Sequence, residues 1–190
     1  FAIWAIRPTR MRVDRLGLCV SALPDVERIN SILESFAGGF NAMIARPSGT
    51  AWEGYCESLP ALTRPFAEEG AAMGHTLRRL FLYSPKAFET DVVRPRPEFR
   101  YLYYVGLGFW SGMRNHDAHR LTEVTRGLDP LHGFLCYDGY GFKLAFFDYP
   151  NDVNAVRRLD SLEGYARNAA YQGVGRALWF RFMDRPDLFI

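Results

Sequence analysis

Four segments of the sequence share a glycine pattern that recurs every 33 to 36 residues. The lead glycines, separated by 36, 33 and 34 residues, are Gly70, Gly106, Gly139 and Gly173. The residue two positions after each of them is small: Ala72, Gly108, Gly141 and Gly175. The segment SFAGGFNAMI at 35–44 resembles a degenerate earlier copy. A period near 34 residues is the length of one helix–turn–helix unit, and it predicts helical hairpin repeats of about 34 residues, either solenoid-like or a compact array.

The glycine pairs do not match a phosphate-binding loop. A dinucleotide fingerprint reads G-x-G-x-x-G, follows a strand and opens a helix. Here the position of the third glycine holds Ser111, Leu144 or Leu178, and the pairs fall inside apolar helical segments. We interpret them as packing positions, where the missing Cβ lets neighbouring backbones approach. The alternative is that the same bare backbone lines a groove for a flat ligand.

The remaining pattern is helical throughout. No stretch alternates apolar and polar residues as a half-buried strand would, so the sequence predicts an all-α fold. The predicted helices cover 24–45, 63–82, 86–93, 99–114, 119–125, 131–147 and 153–183, the last broken near Gly164. The second helix of each hairpin is assigned to 86–93, 119–125 and 154–163. We expect an N-terminal arm over 1–24, strand-like in its first 20 residues, and a single helical-repeat domain over 25–190 that continues in a longer parent protein.

Composition narrows the class of partner. The formal net charge of +2 does not favour nucleic acid, and the apolar runs are far shorter than the ~20 residues that span a bilayer. Three cysteines without a CxxC pair, Cys19, Cys56 and Cys136, fit a reducing compartment. The sequence therefore predicts a cytoplasmic protein without a transmembrane segment.

The sequence HDAH places His116 and His119 close together. They could form half of a metal site, but they stand beside Asp117 where a loop meets a helix. A solvated turn or helix N-cap explains them better. The sequence therefore predicts no metal site and no cofactor.

Polar residues recur directly before the lead glycines. Three copies have Glu69, Asp138 and Gln172 there. Since an unpaired buried carboxylate is costly, these side chains should face a cavity or a partner. Pairing of Asp138 with Lys143, and of Gln172 with Arg176, would be the ordinary explanation.

The functional alternative is a cavity mouth lined by these polar groups and walled by aromatic residues. Its catalytic candidates are Glu69 and Asp138. Its ligand-binding candidates are Tyr104, Trp110, Tyr137, Lys143, Tyr171, Gln172, Arg176 and Trp179. Aromatic walls with few polar groups suit a large apolar ligand. The alternative interpretation, that the aromatic residues form the hydrophobic core, stays open.

Two long segments resemble a known bacterial family. They are LDPLHGFLCYDGYGFKLAFF at 128–147 and LEGYARNAAYQGVGRALWF at 162–180. They are similar to the domain-of-unknown-function family encoded in or near enediyne polyketide gene clusters. VERINSILESFAGGFNAM, EEGAAM and YVGLGFWSG are similar to its other blocks, so the resemblance covers nearly everything after residue 25. The family usually shows a histidine where this chain has Lys143.

The resemblance implies a role in secondary-metabolite assembly and carries over no active-site residue. The first hypothesis is an accessory protein that binds a polyketide or polyene intermediate, or a partner enzyme. The second is a cyclase or isomerase that uses Asp138 and Glu69 for proton transfer. The third is a helical-repeat scaffold for other proteins.

Overall fold

A computed structural model describes residues 5–45, 50–78, 84–185 and 187. Within these ranges the ordered secondary structure is helical and contains no strand. The all-α prediction is therefore confirmed. Two compact units divide the chain, one formed by residues 1–81 and 180–190 and the other by residues 82–179.

The described residues of the first unit form four α-helices of its own. They are α1 (Val13–Leu16), α2 (Leu23–Ala45), α3 (Thr50–Ser58) and α4 (Arg64–Arg78). The expected strand-like start instead holds a 3-10 turn, Pro8–Arg10, followed by α1. The apolar residues spaced at helical intervals on α2 form its buried face, with Ile29, Phe40 and Met43 at most 3% exposed.

The second unit contains the remaining helices. They are α5 (Pro85–Phe88), α6 (Arg100–Met113), α7 (Ala118–Thr125), α8 (Leu135–Lys143) and α9 (Gly164–Arg181), whose last two residues are counted with the first unit. Two π-helical turns extend α5 and α8: Glu89–Val93 and Leu144–Asp148. Three 3-10 segments complete the unit: Pro97–Phe99, His132–Phe134 and Ala155–Ser161.

Most predicted helices coincide with observed ones within a few residues. The break near Gly164 is confirmed, because this residue, the first of α9, has a left-handed φ of 54°. α3 was missed, because its sequence TAWEGYCES has little apolar periodicity. Residues 46–49 of the predicted loop, and 79–82 of the predicted 63–82 helix, lie outside the described residues.

Glycines allow α2 and α4 to touch backbone to backbone. A Cβ on Gly39 would lie 1.9 Å from the Ala67 carbonyl oxygen, and one on Gly70 would lie 2.1 Å from that of Phe36. Gly74 faces the Phe40 carbonyl in the same way at 2.8 Å. From the pair Gly70–Phe36 to the pair Gly74–Phe40, the contact moves four residues forward along both helices. The helices α2 and α4 therefore run in the same direction.

The second unit repeats this contact twice. Between α6 and α8, a Cβ on Gly108 would lie 1.7 Å from the Cys136 oxygen, and one on Gly139 would lie 1.9 Å from the Val105 oxygen. Between α8 and α9, the corresponding pairs are Gly141 with Ala170 at 2.0 Å and Gly173 with Asp138 at 1.9 Å. In each contact, the glycine hydrogen that occupies the place of a Cβ points at a carbonyl oxygen. Such Cα–H to oxygen contacts add weak stabilisation between helices.

Candidate functional site

A buried carboxylate on α8 is the centre of a polar cluster in the second unit. Asp138 is 1% exposed. Arg176 on α9 donates to its Oδ1 atom from Nη2 at 2.5 Å and from Nε at 3.1 Å. The Tyr101 hydroxyl on α6 donates to Oδ2 at 3.3 Å, and the Gln172 amide donates to that hydroxyl at 3.3 Å. The cluster therefore links α6, α8 and α9.

Burial dominates the electrostatics of this carboxylate. It raises the pKa of Asp138, while the Arg176 guanidinium and the hydrogen bonds from Arg176 and Tyr101 act in the opposite direction. The ionised form of Asp138 thus depends on the cation beside it. A carboxylate held in this way joins helices, and few of its hydrogen-bonding positions remain for a substrate.

The pairings expected from the sequence are wrong. Arg176 binds Asp138, while Gln172 contacts Tyr101. Lys143 is 4% exposed and donates to both carboxylate oxygens of Asp148, each at 2.8 Å. Arg158 approaches the same carboxylate at 3.7 Å. Lys143 therefore belongs to a separate ion-pair cluster.

The residues predicted to line one cavity mouth have different local surroundings. Glu69 lies on α4 in the first unit and is 5% exposed, whereas the other four polar candidates lie in the second unit. Tyr104 donates its hydroxyl to Glu89, and Arg114 lies over the ring of Trp110. Tyr171 and Trp179 are 40% and 52% exposed on α9.

One predicted wall residue does line a cavity. Tyr137 borders a space of about 250 Å³ between α7, the connection that follows it, and α8. Its lining is Thr122, Thr125, Arg126, Leu128, Asp129, Pro130, Gly133, Phe134 and Tyr137. The Tyr137 hydroxyl lies 3.1 Å from that of Thr122 and 3.5 Å from that of Thr125, which gives the apolar space one hydroxyl-rich wall.

Asp129, which lines this cavity, forms an acid–histidine pair with His132, and sequence reasoning missed this pair. Asp129 Oδ1 lies 2.7 Å from His132 Nδ1 and accepts from the His132 backbone N–H at 2.8 Å. These two contacts with His132 hold the pKa of Asp129 below its usual range. The Tyr104 ring lies 5.9 Å from that of His132, and burial raises the pKa of its hydroxyl. The sequence signal that could have predicted this pair is the spacing D-x-x-H, because residues three apart at the start of a helix can contact each other.

A second cavity, of about 410 Å³, lies on another side of α7. Thr122 lines both cavities, and Asp117, His119, Ser161 and Leu162 line only this one. Asp117 accepts from the Arg120 backbone N–H at 2.8 Å, so the expected N-cap at this junction is confirmed. His116 Nδ1 lies 2.8 Å from the Ser111 hydroxyl. Among the described residues, no three His, Cys, Asp or Glu side chains are grouped as metal ligands.

The chain matches one known family. The model of a family described as "Protein of unknown function (DUF1702)" matches residues 2–185. Neither a curated protein nor a solved structure matches the chain. Within the part of the chain that the structure describes, no helix has both the length and the apolar character needed to cross a membrane.

Proposed function

We propose that this chain, which belongs to the family described as "Protein of unknown function (DUF1702)", is an accessory protein of secondary metabolism that binds an apolar small molecule. The binding site is the cavity of about 250 Å³ between α7 and α8. The ligand class is an enediyne-type polyketide or polyene intermediate. The similarity of the segments DGYGF and QGVGRALWF to the enediyne-associated family supplies this metabolic context.

The lining of the cavity carries the proposal. Leu128, Pro130 and Phe134 offer apolar surface, and three hydroxyls lie together on one wall. Small-molecule sites are mostly apolar with a few placed polar groups. The volume is near the lower end for such sites, so it suits one end or one ring of a long intermediate.

Native mass spectrometry of the protein purified from its producing host tests this function. We expect a co-purified apolar molecule bound to the chain. Gly133→Leu should abolish its retention, because Gly133 lines the cavity and a Cβ there meets only the Leu128 Cβ, at 3.6 Å. The first atom of the added side chain therefore meets no described backbone atom within 4 Å.

Gly54→Leu is the matched control. Gly54 is exposed on α3, and no described atom lies within 4 Å of its Cβ position, so this variant adds the same side chain to a helix that does not line the cavity. It should keep the ligand. Absence of any bound molecule in the wild-type protein, or equal retention in both variants, would reject the binding function.

A second candidate function is proton transfer on the bound molecule. The pairing of His132 with Asp129, a residue that lines the cavity, supports it better than Asp138 and Glu69, the two buried carboxylates proposed from sequence. His132 would act as the base, with Asp129 fixing its orientation. His132→Gln should leave ligand retention intact and stop conversion, measured as the ratio of substrate to product in the purified complex. An unchanged ratio would leave only the binding function.

We also propose that the glycine-bearing helices are true repeats. The support is the same pair of glycine–carbonyl contacts between α2 and α4, α6 and α8, and α8 and α9. If so, alanine at equivalent glycines in different units, such as Gly39 and Gly141, should destabilise the protein to a similar degree. A large difference in unfolding free energy between these variants would count against equivalence.

A further inference from the structure

The cavity assigned to the ligand holds only one end of a long molecule, and the second cavity adjoins it. Thr122 lines both the space of about 250 Å³ and that of about 410 Å³. Its side chain is exposed, so a bound molecule can pass over it from one space to the other. The helical rise places Asp117 and Thr125 about 12 Å apart along α7, roughly the length of an eight-carbon chain with its head group.

The side-chain oxygens of the second cavity are arranged to accept hydrogen bonds. The Thr122 hydroxyl donates its one proton to the backbone carbonyl four residues earlier, at 2.9 Å. The Ser161 hydroxyl donates to the carbonyl three residues earlier, at 3.3 Å. Asp117 Oδ1 accepts from the Arg120 backbone N–H at 2.8 Å, and none of the described residues donates to its Oδ2 atom. A ligand group that binds these oxygens must therefore be a donor.

The charges beside this cavity favour a cation. Asp117 brings a carboxylate, whereas the arginines on the adjoining turns have carboxylates of their own. Arg120 pairs with Glu123 at 2.5 Å, and Arg158 lies 3.7 Å from Asp148. An ammonium group has three donors and no acceptor, and its charge strengthens each hydrogen bond to a carboxylate.

We propose that the ligand is an apolar molecule with a primary amine at one end. Its chain lies in the first cavity and its ammonium group binds Asp117 in the second, beside the apolar surface of Ala118 and Leu162, which are 8% and 5% exposed. This assignment rests on the proposed binding function and specifies the class of ligand. A carboxylate head would meet acceptors in the second cavity, and Arg126 of the first cavity would hold it instead.

Isothermal titration calorimetry of the 190-residue chain with three probes tests the head group. Octylammonium, octanol and octanoate share one chain and differ only at its end. His119 also lines the second cavity, so the titrations are run at about pH 8, where ordinary histidine side chains are neutral. We expect octylammonium to bind about fivefold more tightly than octanol, the upper range for an exposed ion pair, and octanoate to bind most weakly.

Asp117→Asn should remove the preference for octylammonium. Asparagine also caps helices, so α7 should still form, and thermal unfolding verifies it. Asp152→Asn is the matched control, because Asp152 is exposed, accepts a backbone N–H from Asn154 at 3.0 Å and lines neither cavity. This variant should rank the probes as the wild type does. If Asp117→Asn unfolds, the ranking on the wild-type chain decides alone.

Gly133→Leu separates the amine proposal from the binding function. It should weaken all three probes, because their common chain lies in the first cavity. Equal affinities that are all lost in Gly133→Leu would reject the amine head and keep the binding function. Tightest binding of octanoate, or a preference for octylammonium that survives in Asp117→Asn, would also reject the amine head. Failure of every probe to bind the wild-type chain would reject both.

Discussion

Arg176 of α9 holds the buried carboxylate of Asp138 on α8 through two donors to one oxygen atom. The contact spans 38 residues of sequence and joins two helices whose backbones already touch at Gly173. Asp138 is 1% exposed as a side chain, while Arg176 is 28% exposed. The guanidinium therefore screens the carboxylate from solvent and supplies its counter-charge.

Removing the cation should be more damaging than removing the whole pair. Arg176→Gln leaves a buried carboxylate without its cation, and we expect a loss of about 2–3 kcal/mol, below the range for fully buried pairs because Arg176 is partly exposed. The double variant with Asp138→Asn should recover much of it. Urea unfolding of the three variants and of the exposed control Arg167→Gln measures this. A double variant less stable than Arg176→Gln would contradict the assigned role.

Alanine at a contact glycine should destabilise the protein, whereas alanine at an open glycine should not. A Cβ on Gly141 would lie 2.0 Å from a backbone oxygen of Ala170, and backbone cannot move aside as a side-chain tip can. We expect Gly141→Ala to cost about 3 kcal/mol. Gly54→Ala should stabilise by about 0.5–1 kcal/mol, since that site is open. Equal unfolding free energies would mean that α8 and α9 do not approach as closely as described.

The stability of the protein should fall between neutral and mildly acidic pH because of His116. Burial, and then the charges of Arg120 and Arg114, lower the pKa of this imidazole in the folded state. The unfolded chain therefore takes up a proton first, near pH 6.5, and stability present above that pH is lost as pH falls towards the folded pKa.

His116→Gln should flatten this part of the curve of unfolding free energy against pH. His119→Gln is the control, because the His119 side chain is 83% exposed on the same segment. The control should retain the wild-type slope. If His116→Gln also keeps that slope between pH 7 and 5, another group carries the dependence.

The cysteines should differ in reactivity. Cys136 is 0% exposed, and burial followed by the charge of Glu89 raises the pKa of its thiol. Cys56 is also 0% exposed, whereas Cys19 is partly exposed. Iodoacetamide should therefore label Cys19 first in the native protein, and all three after denaturation. Mass spectrometry of the peptides reads the result, and rapid native labelling of Cys136 would show that α8 opens.

Sequence reasoning predicted the helices well where their signal was local. Apolar residues at helical intervals identified α2, and the glycine break at Gly164 marked the start of α9. It failed for α3, whose nine residues have a weak apolar pattern. Such a short helix is held by packing against α2 and α4 more than by its own preference.

The candidate site was less accessible to prediction. Asp138 and Lys143 are five residues apart, which places them about 140° apart around an α-helix, so their pairing was geometrically poor. Asp148 reaches Lys143 because the turn Leu144–Asp148 is π-helical, a local widening that no sequence pattern announced. The cavity beside Tyr137 is lined by residues from 122 to 137, yet neither its volume nor its hydroxyl wall follows from their order.

The sequence by itself determined an all-helical chain with glycines at regular spacing, because helix periodicity and the absence of Cβ are local properties. Only the tertiary structure decided what each glycine touches and which cation each carboxylate receives. Those choices depend on the register between helices, as when Gly173 lies against the Asp138 carbonyl and so brings Arg176 to the Asp138 carboxylate. The register is set by many contacts at once, distant in sequence, and no single segment encodes it.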